Sequence, residues 1–88
     1  MSGLDETKRE NELAQIALEK LVRVLGEGRG RRLFAEALAS LGLRDLASPQ
    51  DLYEVGQYVT AKGGMEAAVG GLISVAAVVR GATPRSPR

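Results

Sequence analysis

Thirteen uncharged residues in a row, AAVGGLISVAAVV at positions 67–79 between Glu66 and Arg80, limit the folds open to this chain. A helix of this length is about 20 Å long. The hydrocarbon core of a bilayer is about 30 Å thick, so the segment is too short to span a membrane. A surface helix normally carries a charged face, and this segment has none. The sequence therefore predicts a helix, roughly residues 65–80, that lies at the centre of a core or between two partners.

The two sides of this predicted helix differ in side-chain size. On a projection of about 100° per residue, one side carries mostly large apolar residues: Met65, Val69, Leu72, Ile73, Val75, Ala76 and Val79. The other side carries small residues, interrupted only by Val78, and small residues four apart let a second helix approach closely. Two interpretations stay open: either the rest of the chain covers both sides of the helix, or the small side is a homodimer or partner interface. The candidate interface residues are Ala67, Gly70, Gly71, Ser74 and Ala77.

Three further amphipathic helical patterns precede this segment. The first runs from about residue 4 to residue 25, where a stripe of leucine, alanine and valine recurs at helical spacing. The second follows at 33–41, and Gly42 after it suits the left-handed position at a helix C-terminus. The third has the clearest start, because Ser48 is a good N-cap and the proline after it fits the first helical position.

These patterns predict an all-α fold, a small bundle of about four helices with a largely buried C-terminal helix. Residues 1–81 are expected to form a single helical domain, since no linker or internal repeat divides them. Residues 82–88, ATPRSPR, are rich in proline and arginine and are expected to form a disordered tail.

The stretch LGEGRGRRLF, positions 25–34, combines three glycines with three arginines. It is predicted to be a solvated loop whose glycines let the chain reverse between the first two helices. The stretch follows a helix rather than a strand and lacks a GK[ST] ending, so a phosphate loop of the Rossmann or P-loop kind is not expected. The arginines either pair with Glu27 and Glu36 or contact an anionic partner; the candidate anion contacts are Arg29, Arg31 and Arg32.

The chain contains no cysteine and no histidine, so it lacks disulfides, thiolate metal ligands and the commonest general base. No D-x-D-x-D-G loop is present, and neither a metal nor a cofactor is expected. No hydroxyl has a recognisable base beside it, so we do not expect an enzyme. The N-terminus is polar and mixed in sign, unlike a signal peptide, and the lack of cysteine fits a cytoplasmic protein.

The formal net charge is only +1, whereas nucleic-acid-binding domains usually carry a clear basic excess. We therefore expect a non-catalytic protein–protein interaction or regulatory adaptor module that acts through helix–helix packing, with a protein partner or self-association as a homodimer. The alternative is a small nucleic-acid-associated protein that uses the arginine loop, Arg44 and three basic residues near the C-terminus. Salt separates the two, because arginine–phosphate contacts weaken steeply as salt rises and apolar packing hardly changes. The three basic residues near the C-terminus are Arg80, Arg85 and Arg88.

Overall fold

The computed structural model describes residues 2–84, with side chains from residue 12 onward. Four helices follow one another: α1 (Ser2–Leu25), α2 (Glu27–Leu41), α3 (Pro49–Thr60) and α4 (Gly64–Val79). Residues 2–84 contain no strand. The predicted all-α bundle of four helices is therefore confirmed.

A single residue, Gly26, joins α1 to α2. Its φ of 91° lies in the left-handed region that favours glycine, so the chain can turn there without strain. The predicted loop in this stretch is wrong, because α2 begins at Glu27 and includes the arginines. Glycine at position 30 fits the helix for a packing reason: a Cβ there would lie 2.8 Å from the backbone of Leu21 in α1. Glycine lowers helix stability by about 1 kcal/mol relative to alanine. At position 30 this cost is offset because glycine lets α1 and α2 cross closely.

The predicted signals at the end of α2 and the start of α3 are both confirmed. Gly42 has a φ of 71°, and the N–H of Leu43 donates to the carbonyl of Leu38 at 2.9 Å, which closes the C-terminal turn of α2. At α3, the Ser48 hydroxyl accepts a hydrogen bond from the N–H of Asp51 at 3.3 Å. The two caps leave a short connection of defined path between α2 and α3.

The hydrophobic core lies between the four helices: α1 and α3 pack against one side of α4, and α2 packs against α1 and α3. The apolar stripe of α3, formed by Leu52, Val55 and Val59, is fully buried. Leu46, which lies in the connection before α3, is fully buried as well. The sequence patterns did not indicate Leu46, because it lies outside any helical repeat. The buried apolar residues are Ala17, Leu21, Leu33, Ala37, Leu46, Leu52, Tyr53, Val55, Val59, Val69, Ile73, Ala77 and Ala82.

The chain stays packed beyond the end of α4. Ala82 is buried, and the N–H of Thr83 donates to the side-chain carbonyl of Gln50 at 2.9 Å while the Gln50 amide donates back to the Thr83 carbonyl at 3.3 Å. These contacts tie the residues after α4 to the first turn of α3. The predicted tail begins at residue 82, so its first two residues belong with the packed part of the chain. Residues 85–88, including Arg85 and Arg88, lie outside the described residues.

Candidate functional site

The side of α4 that faces away from the core carries a row of large exposed aliphatic side chains. The exposed fractions are 60% for Met65, 54% for Leu72, 63% for Val75, 39% for Val78 and 76% for Val79. Ala68 is also exposed on this side. We call this surface, residues 65, 68, 72, 75, 78 and 79, the outer face of α4. It carries no charged side chain over its whole length.

Gly70, Ser74 and Ala77 lie on the opposite side of α4, and Gly70 and Ser74 set its distance from α3. A Cβ added to Gly70 would lie 2.5 Å from the backbone nitrogen of Thr60, and one added to Gly56 would lie 2.9 Å from the backbone nitrogen of Ser74. The Ser74 hydroxyl accepts a hydrogen bond from the Gln57 amide at 3.0 Å. The two helices therefore approach each other backbone to backbone, and this contact leaves Leu72, Val75 and Val79 on the far side of α4.

The five residues predicted as an interface are divided by the structure. Gly70, Ser74 and Ala77 are buried inside the chain, and Gly70 contacts α3. Ala67 is half-buried, and Gly71 is half-buried with no atom within 4 Å of a Cβ placed on it. The chain itself therefore covers most of the small side of α4. The surface left for a partner is the outer face. Three residues of the predicted large side, Val69, Ile73 and Ala76, do not belong to it, because Val69 and Ile73 are buried and Ala76 is half-buried.

The prediction of a largely buried C-terminal helix holds for one side of α4 only. The sequence contained a signal for the other side, because positions 65, 68, 72, 75 and 79 repeat with alternating steps of three and four. A helix that is apolar all round does not show which of its faces meets the core. The outer face was missed for that reason.

Arg29, Arg31 and Arg32, in the first turns of α2, have different neighbours. Arg29 forms an ion pair with Glu66 of α4 at 2.6 Å, whereas Arg31 pairs with Glu27 one turn earlier in α2 at 3.1 Å. Arg29 and Arg32 line one cleft of about 240 Å³, and Arg31 lines a separate cleft of about 340 Å³ along α1. The candidate anion contacts therefore do not form one cluster. The predicted pairing with Glu27 is present for Arg31.

The cleft beside Arg29 and Arg32 brings three cations next to two carboxylates. Its lining is Arg29, Arg32, Leu33, Glu36, Lys62 and Glu66. Both carboxylates are already engaged: Glu66 with Arg29 at 2.6 Å, and Glu36 with Lys62 at 2.6 Å. The cleft is therefore largely neutralised from within, which limits the attraction it offers to an anion.

Glu36 is the centre of a polar group that joins α2 to α3. It accepts hydrogen bonds from the Tyr58 hydroxyl at 2.5 Å and from Lys62 at 2.6 Å, and Ser40 donates to the Tyr58 hydroxyl at 3.2 Å. The hydrogen bonds from Lys62 and then Tyr58 hold the pKa of the Glu36 carboxyl below its ordinary value. The same bond to Glu36 raises the pKa of Lys62. Each of these groups has a structural partner, so the arrangement ties two helices together.

No group of three or more acidic side chains comes together in the described part of the chain in a way that could hold a metal ion. Within residues 2–84, no helix is both long enough and apolar enough to cross a bilayer.

Comparison of this chain with protein-family models, with curated proteins and with solved structures finds no match. Its function is therefore inferred from contacts, burial and charge.

Proposed function

We propose that this chain is a non-catalytic interaction module that works by helix–helix packing, with the outer face of α4 as its contact surface. The observation that carries this proposal is the row of exposed aliphatic side chains, which no other part of residues 12–84 covers. Covering such side chains stabilises a complex by about 25 cal/mol for each Å² of apolar surface removed from water. The face has the shape of a helix surface, and the occupant that suits it is another helix.

The competing function, contact with nucleic acid through the arginines, has weaker support. Arg29 and Arg31 are each paired with a glutamate, and Arg31 faces a different cleft from Arg29 and Arg32. Phosphate binding would need these cations to act together on one surface.

The chain has no cysteine, so a single introduced thiol reports the accessibility of one position. We would place a cysteine at Val75 on the outer face and, as a matched control, at Ala39, an exposed position on α2. Each variant is treated with a water-soluble maleimide in an extract of the cells that produce the chain. The maleimide reaction rates of the same two variants unfolded in urea correct for the difference in intrinsic reactivity between the two thiols.

If another helix covers the outer face, the thiol at position 75 should react about tenfold more slowly than the thiol at position 39, because water and reagent are excluded from the centre of an interface. Protection should persist as salt is raised, because the contact is apolar. Equal rates at the two positions would overturn the proposal. Protection that disappears at moderate salt would instead support a charged partner.

A further inference from the structure

We propose that the occupant of the outer face of α4 is a second copy of this chain, bound with its α4 antiparallel across a two-fold axis. This rests on the proposed function, because it identifies the partner of the same surface. The axis would pass between Leu72 and Val75, so that each Leu72 packs against Val75 of the partner subunit.

The size of the face is the first support for a second copy. The five exposed aliphatic residues present on the order of 500 Å² of surface, near the upper end of the patches that soluble monomers expose. Two such faces in contact would bury at most about 1,000 Å², which reaches the lower bound for a specific interface before any flanking contact is added. Because the outer face is apolar on both copies, their contact would leave no polar side chain of this face buried without a hydrogen-bond partner.

The spacing along α4 is the second support. The outer-face positions 65, 68, 72, 75 and 79 advance by three, four, three and four residues, the repeat with which one helix packs into the grooves of another. Steps of three and four also alternate when the outer face is read from the C-terminal end of α4. In an antiparallel pair, Ala68 therefore lies against Val79 of the partner subunit, and Leu72 lies against Val75 of the partner subunit. A two-fold interface needs this kind of self-complementary surface.

The helix dipole favours the antiparallel direction. A parallel pair would align the two α4 dipoles in the same direction, with like ends side by side. An antiparallel pair sets the positive end of each helix beside the negative end of the other. Arg80 takes no part in this choice, because it lies outside the outer face and its guanidinium donates to the Ala76 carbonyl at 3.0 Å.

Cysteine cross-linking tests the direction of the pair. We would prepare Ala68→Cys and Val79→Cys variants of the full chain, one of them with a tag that changes its mass, and oxidise each alone and as a mixture. A disulfide needs its Cα atoms within about 7 Å. In the proposed pair the two copies of residue 79 are about 16 Å apart along the axis, whereas residues 68 and 79 of different copies face each other. The mixture should therefore give about tenfold more cross-linked dimer than either variant alone, as the mixed species.

Two other cross-linking results would overturn the inference. Efficient cross-linking of Val79→Cys alone would show a parallel pair, and a cysteine-free dimer whose variants do not cross-link in any sample would place the interface elsewhere. Light scattering of the purified chain measures its mass independently, and Leu72→Glu should shift a dimer to monomer while Ala39→Glu leaves it unchanged.

The light-scattering and thiol-protection results separate the inference from the proposed function. A purified chain that is monomeric, combined with thiol protection at position 75 in the cell extract, would overturn the second copy as partner and leave the interaction surface standing. Without protection in the extract, both would fail.

Discussion

Single side chains connect parts of this molecule that are far apart in sequence. Glu36 of α2 bonds to Tyr58 and Lys62, which lie 22 and 26 residues further along the chain. The sequence places Glu36 four residues after Arg32, a spacing that makes two residues neighbours on a helix. Only the packing of α2 on α3 places a lysine within 2.6 Å of this carboxylate.

The pKa shift of Glu36 predicts how stability changes with acid. Because the pKa of Glu36 is lowered in the folded chain, its contribution is present above the ordinary carboxyl pKa and is lost as pH falls through the lowered value. The variant Glu36→Gln should be less stable than wild type at neutral pH and should lose less stability on acidification. Urea unfolding measured at intervals between about pH 2 and pH 7 checks this. Curves that stay parallel over the whole range would contradict it.

At the scale of the helix, the position of α4 is decided by two glycines and their neighbours. Gly56 and Gly70 allow α3 and α4 to touch through their backbones, and Thr60 and Ser74 occupy the remaining space. The helix over residues 65–80 is predicted correctly from the sequence, because helical periodicity is a local property. Its neighbour α3 is not predictable in this way, because a surface of small residues accepts any helix that comes close.

Neighbouring glycines in α4 offer a matched test of this contact. Gly70→Ala should destabilise the fold by about 1–3 kcal/mol, because the added methyl group overlaps the backbone of Thr60. Gly71→Ala should instead stabilise it by about 0.5–1 kcal/mol, because alanine is the better helix former and the position is open. The free energy of unfolding in urea measures both. Equal effects of the two changes would show that α3 does not approach α4 this closely.

At the scale of the whole molecule, the packed region extends past the last helix. Ala82 is buried, and Thr83 exchanges two hydrogen bonds with Gln50 at the start of α3. A chain that ends at Gly81 should therefore be about 1–2 kcal/mol less stable than one that ends at Pro84, from the lost methyl burial and hydrogen bonds. Thermal and urea unfolding of the two shortened chains would measure the difference. Identical stability would show that these contacts add nothing to the fold.

Local chemistry in the sequence determined the helices of this protein and several of their ends. The N-cap at Ser48, the left-handed Gly42 and the apolar stripe of α3 all depend on residues within about one or two turns of each other. Patterns of this range can be recognised without knowing the fold. The prediction of a loop around Gly30 was wrong because it used only such local patterns. The place of Gly30 inside α2 depends on its contact with the backbone of α1, which is not adjacent in sequence.

Only the tertiary structure decided which surface of α4 is available to a partner. Residues 67–79 carry no charge on any face, so charge does not show which face of α4 meets the core. The close approach of Gly56 and Gly70 turns the face with Gly70 and Ser74 toward α3 and buries Val69 and Ile73 beside it. Leu72 and Val75 are left outside as a consequence. Their exposure is a property of the packed chain, and it carries the proposed function.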